Sequence, residues 1–222
     1  MTKYAVIVAG GTGTRMGAAV PKQFMQLNGK PVLLHTIETF LRAYADLQII
    51  LVLPASFEEQ GRQLILQSAA PSRVQIVLGG TTRFHSVQNG LKQINEASVI
   101  FVHDGVRCLV TESLIRRCYE QTILKGNAIP AVAVNDSIRM VEGNKTKVVD
   151  RSRLLGVQTP QTFRSNILLS AFEQPYNEAF TDEATVAEAA GHEIFMIEGE
   201  KENIKITLPA DLLIAEQLFR KP

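Results

Sequence analysis

The chain has 222 residues, 45% of them hydrophobic and 20% charged, with a formal net charge of +1. That length can bury a sizeable core, and the composition excludes a disordered chain. A charge near zero without a basic run gives no basis for binding nucleic acid or an anionic membrane, and no apolar stretch is long enough to span a bilayer.

Tyr4–Ala9 is an apolar, β-branched run that reads as a buried strand. The N-terminus enters it without a signal-peptide pattern. Gly10, Gly11, Thr12, Gly13 and Thr14 follow, with Arg15 and Lys22 close behind. Glycines let the backbone take positive φ and approach a ligand, so that successive amides and the two cations can face one anion, as a triphosphate requires. Met16 stands where the dinucleotide fingerprint needs its third glycine, and the Walker pattern is absent.

Leu33, Leu34, Ile37, Phe40, Leu41 and Tyr44 recur at helical spacing, with His35 a packed or half-exposed neighbour. Gln48–Leu53 is a second strand, after which Ser56 and Glu59 have capping-box spacing. Val74–Leu78 is a third strand, leading into Gly79, Gly80, Thr81, Thr82 and Arg83 and a helix over Phe84–Ile94 with Ser86 in its first turn. Ser98–His103 is a fourth strand, ending at Asp104 and Arg107. Helix Glu112–Leu124 and strand Ala128–Val134 complete an alternation that implies a mostly parallel sheet with helices on both faces. Ligands of such sheets sit beyond the carboxyl ends of the strands, where the Gly11 loop, the Gly80 loop and Asp104 all fall.

The rhythm breaks at Asn135. Asp136–Val141, a turn at Glu142-Gly143-Asn144, and Lys145–Val149 read as a hairpin that projects from the domain and invites a partner surface. A short helix starts at Ser165. A further helix is expected after Phe180, capped by Thr181, with Asp182 and Glu183 complementing its dipole. Strands over Glu193–Glu198 and Asn203–Thr207 and a final helix over Ala210–Phe219 close the chain. Cys108 and Cys118 lack C-x-x-C spacing, which points to a reduced, cytoplasmic setting and against a metal–thiolate site.

The pattern A-G-G-x-G-x-R-M-G…P-K-Q resembles the signature of nucleotidyltransferases that activate sugar and polyol phosphates. More narrowly, it is similar to that of the CDP-polyol cytidylyltransferases, which act on 2-C-methyl-D-erythritol 4-phosphate or, in close cousins, ribitol 5-phosphate. V-H-D-G-V-R at Val102–Arg107, D-S-I-R at Asp136–Arg139, Asp150-Arg151, Q-T-P-Q at Gln158–Gln161, T-D-E-A at Thr181–Ala184 and N-I-K-I-T at Asn203–Thr207 extend the resemblance collinearly along the chain. Cys108 departs from it, standing where the family usually has proline.

The resemblance implies a single α/β nucleotidyltransferase domain over residues 1–222, Rossmann-like and of the nucleotide-diphospho-sugar transferase type, with a dimerisation arm at residues 135–157 of a homodimer. It implies cytidylyl transfer from CTP to a polyol phosphate, assisted by Mg²⁺ or another divalent cation, with methylerythritol phosphate favoured over ribitol phosphate. Arg15, Lys22 and Lys205 are the expected catalytic cations. Ala9, Gly10, Gly11, Thr12, Gly13, Thr14, Gly79, Gly80, Ser86 and Asp104 are expected at the nucleotide. Asp104, Arg107, Ser137, Arg151 and Thr181 are expected at the polyol phosphate, Arg151 reaching the partner subunit's site, and Asp104 is the candidate metal ligand. Rival expectations are another nucleotidyltransferase and a non-enzymatic nucleotide-binding protein; Met16 disfavours a NAD-dependent oxidoreductase.

Overall fold

The computed structural model describes residues 1–11 and 20–219. Short β-branched runs alternate with amphipathic helices, and the strands assemble into one sheet. In chain order the elements are β1 Thr2–Val8, β2 Gln26–Leu27, β3 Lys30–Pro31, α1 Val32–Ala43, β4 Gln48–Leu53, α2 Glu58–Ile65, β5 Val74–Leu78, α3 Arg83–Leu91, β6 Ser98–Asp104 and α4 Glu112–Lys125. They continue with β7 Asn127–Ala133, β8 Ile138–Glu142, β9 Lys145–Val149, β10 Leu155–Val157, β11 Gln161–Arg164, α5 Ser165–Ala171, α6 Glu183–Ala189, β12 Met196–Glu198 and α7 Pro209–Phe219.

The sheet runs β10-β7-β11-β6-β1-β4-β5, with β12 also paired to β7. Strands β6, β1, β4 and β5 are mutually parallel, and β11 and β10 run against their neighbours. The period-two alternation of strand side chains divides the core. Ala5, Ile7, Ile49, Leu51 and Phe101 pack on one face with α1, α2 and α4. Val6, Ile50, Val52, Ile100 and Val102 pack on the other with α3, α5 and α6. Each fully buried side chain of this kind contributes about 1.5–3 kcal/mol of transfer free energy, enough to override weak local preferences.

Register sets the functional edge. Val8 lies opposite both Asp104 and Val52, and Leu53 opposite Leu78. The loops after β1, β4, β5 and β6 therefore leave the sheet at one level, stitched by Ala9 N–H to Val52 O, Gly79 N–H to Leu53 O and Gly105 N–H to Val8 O.

Several local expectations are corrected. Ala55–Phe57 forms a 3-10 turn, so α2 starts at Glu58 and Ser56 does not cap it. Asp182, not Thr181, caps α6: its carboxylate accepts the Thr185 N–H while the Thr185 hydroxyl returns the bond. The Glu193–Glu198 strand shrinks to β12, and Asn203–Thr207 forms no strand, being held instead by contacts such as Ile206 N–H to Val106 O. Strands β10 and β11 escape sequence reading, since Thr159 and Pro160 interrupt any alternating pattern just ahead of β11. Yet β11 lies between β6 and β7 and separates two strands that look consecutive in the chain.

The hairpin forms as expected. Among the described residues β8 and β9 pair only with each other, around a turn in which Gly143 takes φ +60, a conformation that favours glycine. Among the described residues no helix is long and apolar enough to cross a membrane.

Candidate active site

A cavity of ≈ 720 Å³ opens at the carboxyl edge, within the usual range for small-molecule sites. Ala9, Gly10 and Gly11 line it from the segment after β1, Gly79 and Gly80 from the loop after β5, Ser86 from the first turn of α3, and Asp104 from the end of β6. Lys22 and Lys205, from opposite ends of the chain, line the same cavity. A second cavity of ≈ 250 Å³ shares Arg83, Asp104 and Lys205 with the first and adds Arg107 and Thr181.

The glycine loop is clamped from below. Gln23 is buried, and its Nε2 donates to Ala9 O at 3.0 Å and Gly11 O at 3.1 Å. That is the local reason for glutamine in the P-K-Q motif. In the second loop, Gly80 N–H donates to Ser86 Oγ at 3.1 Å, and Ser86 Oγ–H donates to Thr82 O at 2.9 Å. The serine hydroxyl thus shapes the loop at the cavity wall. Gly80 has no left-handed backbone; it is required because a Cβ there would lie 2.4 Å from His85 Cβ.

Asp104 is the electrostatic centre. Its carboxylate lies 2.9 Å from Lys205 Nζ, 3.4 Å from Arg83 Nε and 3.5 Å from Arg107 Nε. Burial favours its protonated form, but Arg83, Lys205 and Arg107 outweigh this and hold the pKa well below the usual carboxylate range. Behind it, the Asp104 N–H donates to Thr159 Oγ1, whose hydroxyl donates to His103 Nδ1 at 3.0 Å; the opposite imidazole nitrogen donates to Arg107 O at 3.2 Å. The carbonyl can only accept, which sets the tautomer. Burial pushes the His103 pKa down to about 3, against the pull of Asp104.

Arg107 Nη1 donates to Asn203 O at 2.7 Å, whereas its buried Nε has no hydrogen-bond partner among the described residues. That Nε faces the Asp104 carboxylate at 3.5 Å, an ion pair too long for a hydrogen bond. Sequence reading missed Arg83 and Glu183 as a pair: the arginine donates to the fully buried carboxylate through Nη1 at 2.5 Å and Nη2 at 3.0 Å. The Gly-Gly-Thr-Thr-Arg and T-D-E-A motifs contain both residues, but their pairing is visible only once the chain is folded.

The structure does not gather every expected residue. Ser137 and Arg151 lie beside the hairpin, exposed, and line neither cavity; Arg151 Nη1 donates to Asn135 O. Thr12, Gly13, Thr14 and Arg15 lie outside the described residues. Cys108, in the usual proline position, is packed with Val106 and Ile206, and burial pushes its thiol up to about 12. Among the described residues no group of three or more His, Cys, Asp or Glu could hold a metal ion. Asp104 is already engaged by three cations, so the described donors do not form a protein-built metal centre.

Comparison with known proteins agrees with this geometry. The family model described as IspD, 2-C-methyl-D-erythritol 4-phosphate cytidylyltransferase, matches residues 3–221. The 2-C-methyl-D-erythritol 4-phosphate cytidylyltransferase of Bacteroides fragilis is 43% identical over 219 residues, covering 99% of this chain and 100% of that protein. That of Phocaeicola vulgatus is 44% identical over 219 residues, with the same coverage. The crystal structure of the Francisella tularensis enzyme of that name is 32% identical, covers 98% of this chain and 99% of its own, and superposes with a TM-score of 0.81. With the collinear motifs and the shared cavity, these matches lead to one conclusion: the chain belongs to the 2-C-methyl-D-erythritol 4-phosphate cytidylyltransferase family.

Proposed function

We propose that this enzyme transfers CMP from CTP to 2-C-methyl-D-erythritol 4-phosphate, giving 4-diphosphocytidyl-2-C-methyl-D-erythritol and pyrophosphate, a step of non-mevalonate isoprenoid precursor synthesis. The observation that carries this reading is Lys22 and Lys205 meeting two glycine loops and Asp104 in one cavity.

The acceptor phosphate is ionised at neutral pH and needs no general base. One of its oxygens attacks the α-phosphorus in line, the P–O bond to the β-phosphate breaks, and pyrophosphate leaves with that electron pair. The protein must hold two mutually repelling anions together and stabilise charge on the α-phosphoryl oxygens. Lys22 and Lys205 serve that charge, joined in this reading by Arg15. Gly10, Gly11 and the residues up to Thr14 cradle the triphosphate. Gly79, Gly80 and Ser86 receive the nucleoside, where a close-walled pocket favours a pyrimidine over a purine. Arg107 and Thr181 take the acceptor side, with Ser137 and Arg151 supplied across a homodimer by the 135–157 arm. A divalent cation, Mg²⁺ in this reading, would offset part of the triphosphate charge when bound, with Asp104 the candidate carboxylate near it. A cytoplasmic setting suits two buried, unpaired thiols.

The test is pyrophosphate release with CTP and either methylerythritol 4-phosphate or ribitol 5-phosphate. Turnover with the first and little with the second is expected. The reverse preference would move the chain to the ribitol reading, and release with neither would remove the enzymatic one.

A further inference from the structure

Arg83 and Glu183 are a hundred positions apart and open two different helices. Arg83 opens α3, directly after the loop assigned to the nucleotide. Glu183 opens α6, two residues after Thr181 on the acceptor side. Both oxygens of the fully buried carboxylate are taken by the arginine fork, and the remaining Nε faces Asp104 at 3.4 Å. Arg83, Asp104 and Lys205 line both cavities and so form the partition between them.

A buried ion pair is a poor stability device, since an apolar pair of similar volume usually serves as well. The aromatic side chains beside it already join the two segments: Phe84 stacks on Phe172 at 4.7 Å and on Phe180 at 5.7 Å. What apolar packing cannot supply is a guanidinium of fixed direction. The α6 end is equally fixed, because Gln161 donates to Asp182 and accepts the Ala184 N–H.

We propose that Glu183 is a positioning residue for the acceptor subsite, acting through Arg83 to hold Asp104 and the partition in place. The inference rests on the cytidylyltransferase reading above. Glu183→Gln keeps the volume but removes the charge that orients the fork. It should raise KM for methylerythritol 4-phosphate about tenfold while CTP affinity, measured calorimetrically without acceptor, stays within about twofold. Glu183→Asp should recover part of the lost KM. Should Glu183→Gln not fold, Arg83→Lys keeps the charge but loses the fork and should give the same split. A lowered Tm with unchanged kinetic constants, or equal weakening of both substrates, would overturn the proposal. Failure of the underlying reading is distinguishable, because the unmodified enzyme would then release no pyrophosphate.

Discussion

Asp104 and Glu183 set two negative charges against Lys205, Arg83 and Arg107, leaving an excess of one positive charge at the cluster. If Lys22 and Lys205 act mainly on charge that develops in the transition state, Lys22→Ala and Lys205→Ala should each lower kcat by about 10²–10³, or ~2.7–4 kcal/mol, with modest loss of CTP affinity. Single-turnover rates and CTP titration separate the two effects; weakened CTP binding with intact kcat would reassign them to ground-state binding. His103 gives a pH prediction. Its folded pKa lies near 3, below the unfolded value of about 6.5, so the unfolded chain binds the extra proton between those limits. Stability from this residue is complete above that window and falls by about 1.4 kcal/mol per pH unit within it. The depressed Asp104 pKa has the same sign and adds to the loss below the ordinary carboxylate range. Urea unfolding from pH 7 to 4 should show the decline, and His103→Asn should flatten its upper part.

Among the described residues the β8–β9 hairpin pairs with no other strand, and it exposes Met140, Val141 and Val148. A two-stranded ribbon of this kind is marginal alone, which is the physical case for a partner surface. Arg151, at the foot of β9, contacts only the local Asn135 carbonyl among the hydrogen bonds described. If it serves the partner's acceptor subsite, Arg151→Ala should raise KM for the polyol phosphate several-fold or more and leave CTP affinity alone. An unchanged KM would remove it from the site. The helix starts show what sequence reading can and cannot resolve. Thr82 and Thr111 cap α3 and α4 through their own hydroxyls. At α6 the cap is Asp182, because the next residue, Glu183, has to turn inward to meet Arg83. A capping rule scores Thr181 and Asp182 almost alike, and the distant arginine decides between them.

At the scale of the whole molecule, light scattering should give twice the 24.5 kDa chain mass, and deletion of the hairpin should return the monomer with reduced activity. A full-length monomer would sink the shared site. The sequence by itself determined the parallel strands and their helices, because period-two and period-3.6 patterns are local and core burial rewards them heavily. It also determined that β1, β5 and β6 end in ligand-like chemistry, since glycines and charges adjoining a strand are legible in one dimension. Only the tertiary structure decided that β11 inserts between β6 and β7, that Gln23 braces the glycine loop, and that Arg83 reaches Glu183. Those facts depend on contacts between segments from about a dozen to a hundred residues apart, whose partners leave no periodic trace; they exist only when the sheet brings its carboxyl edge together.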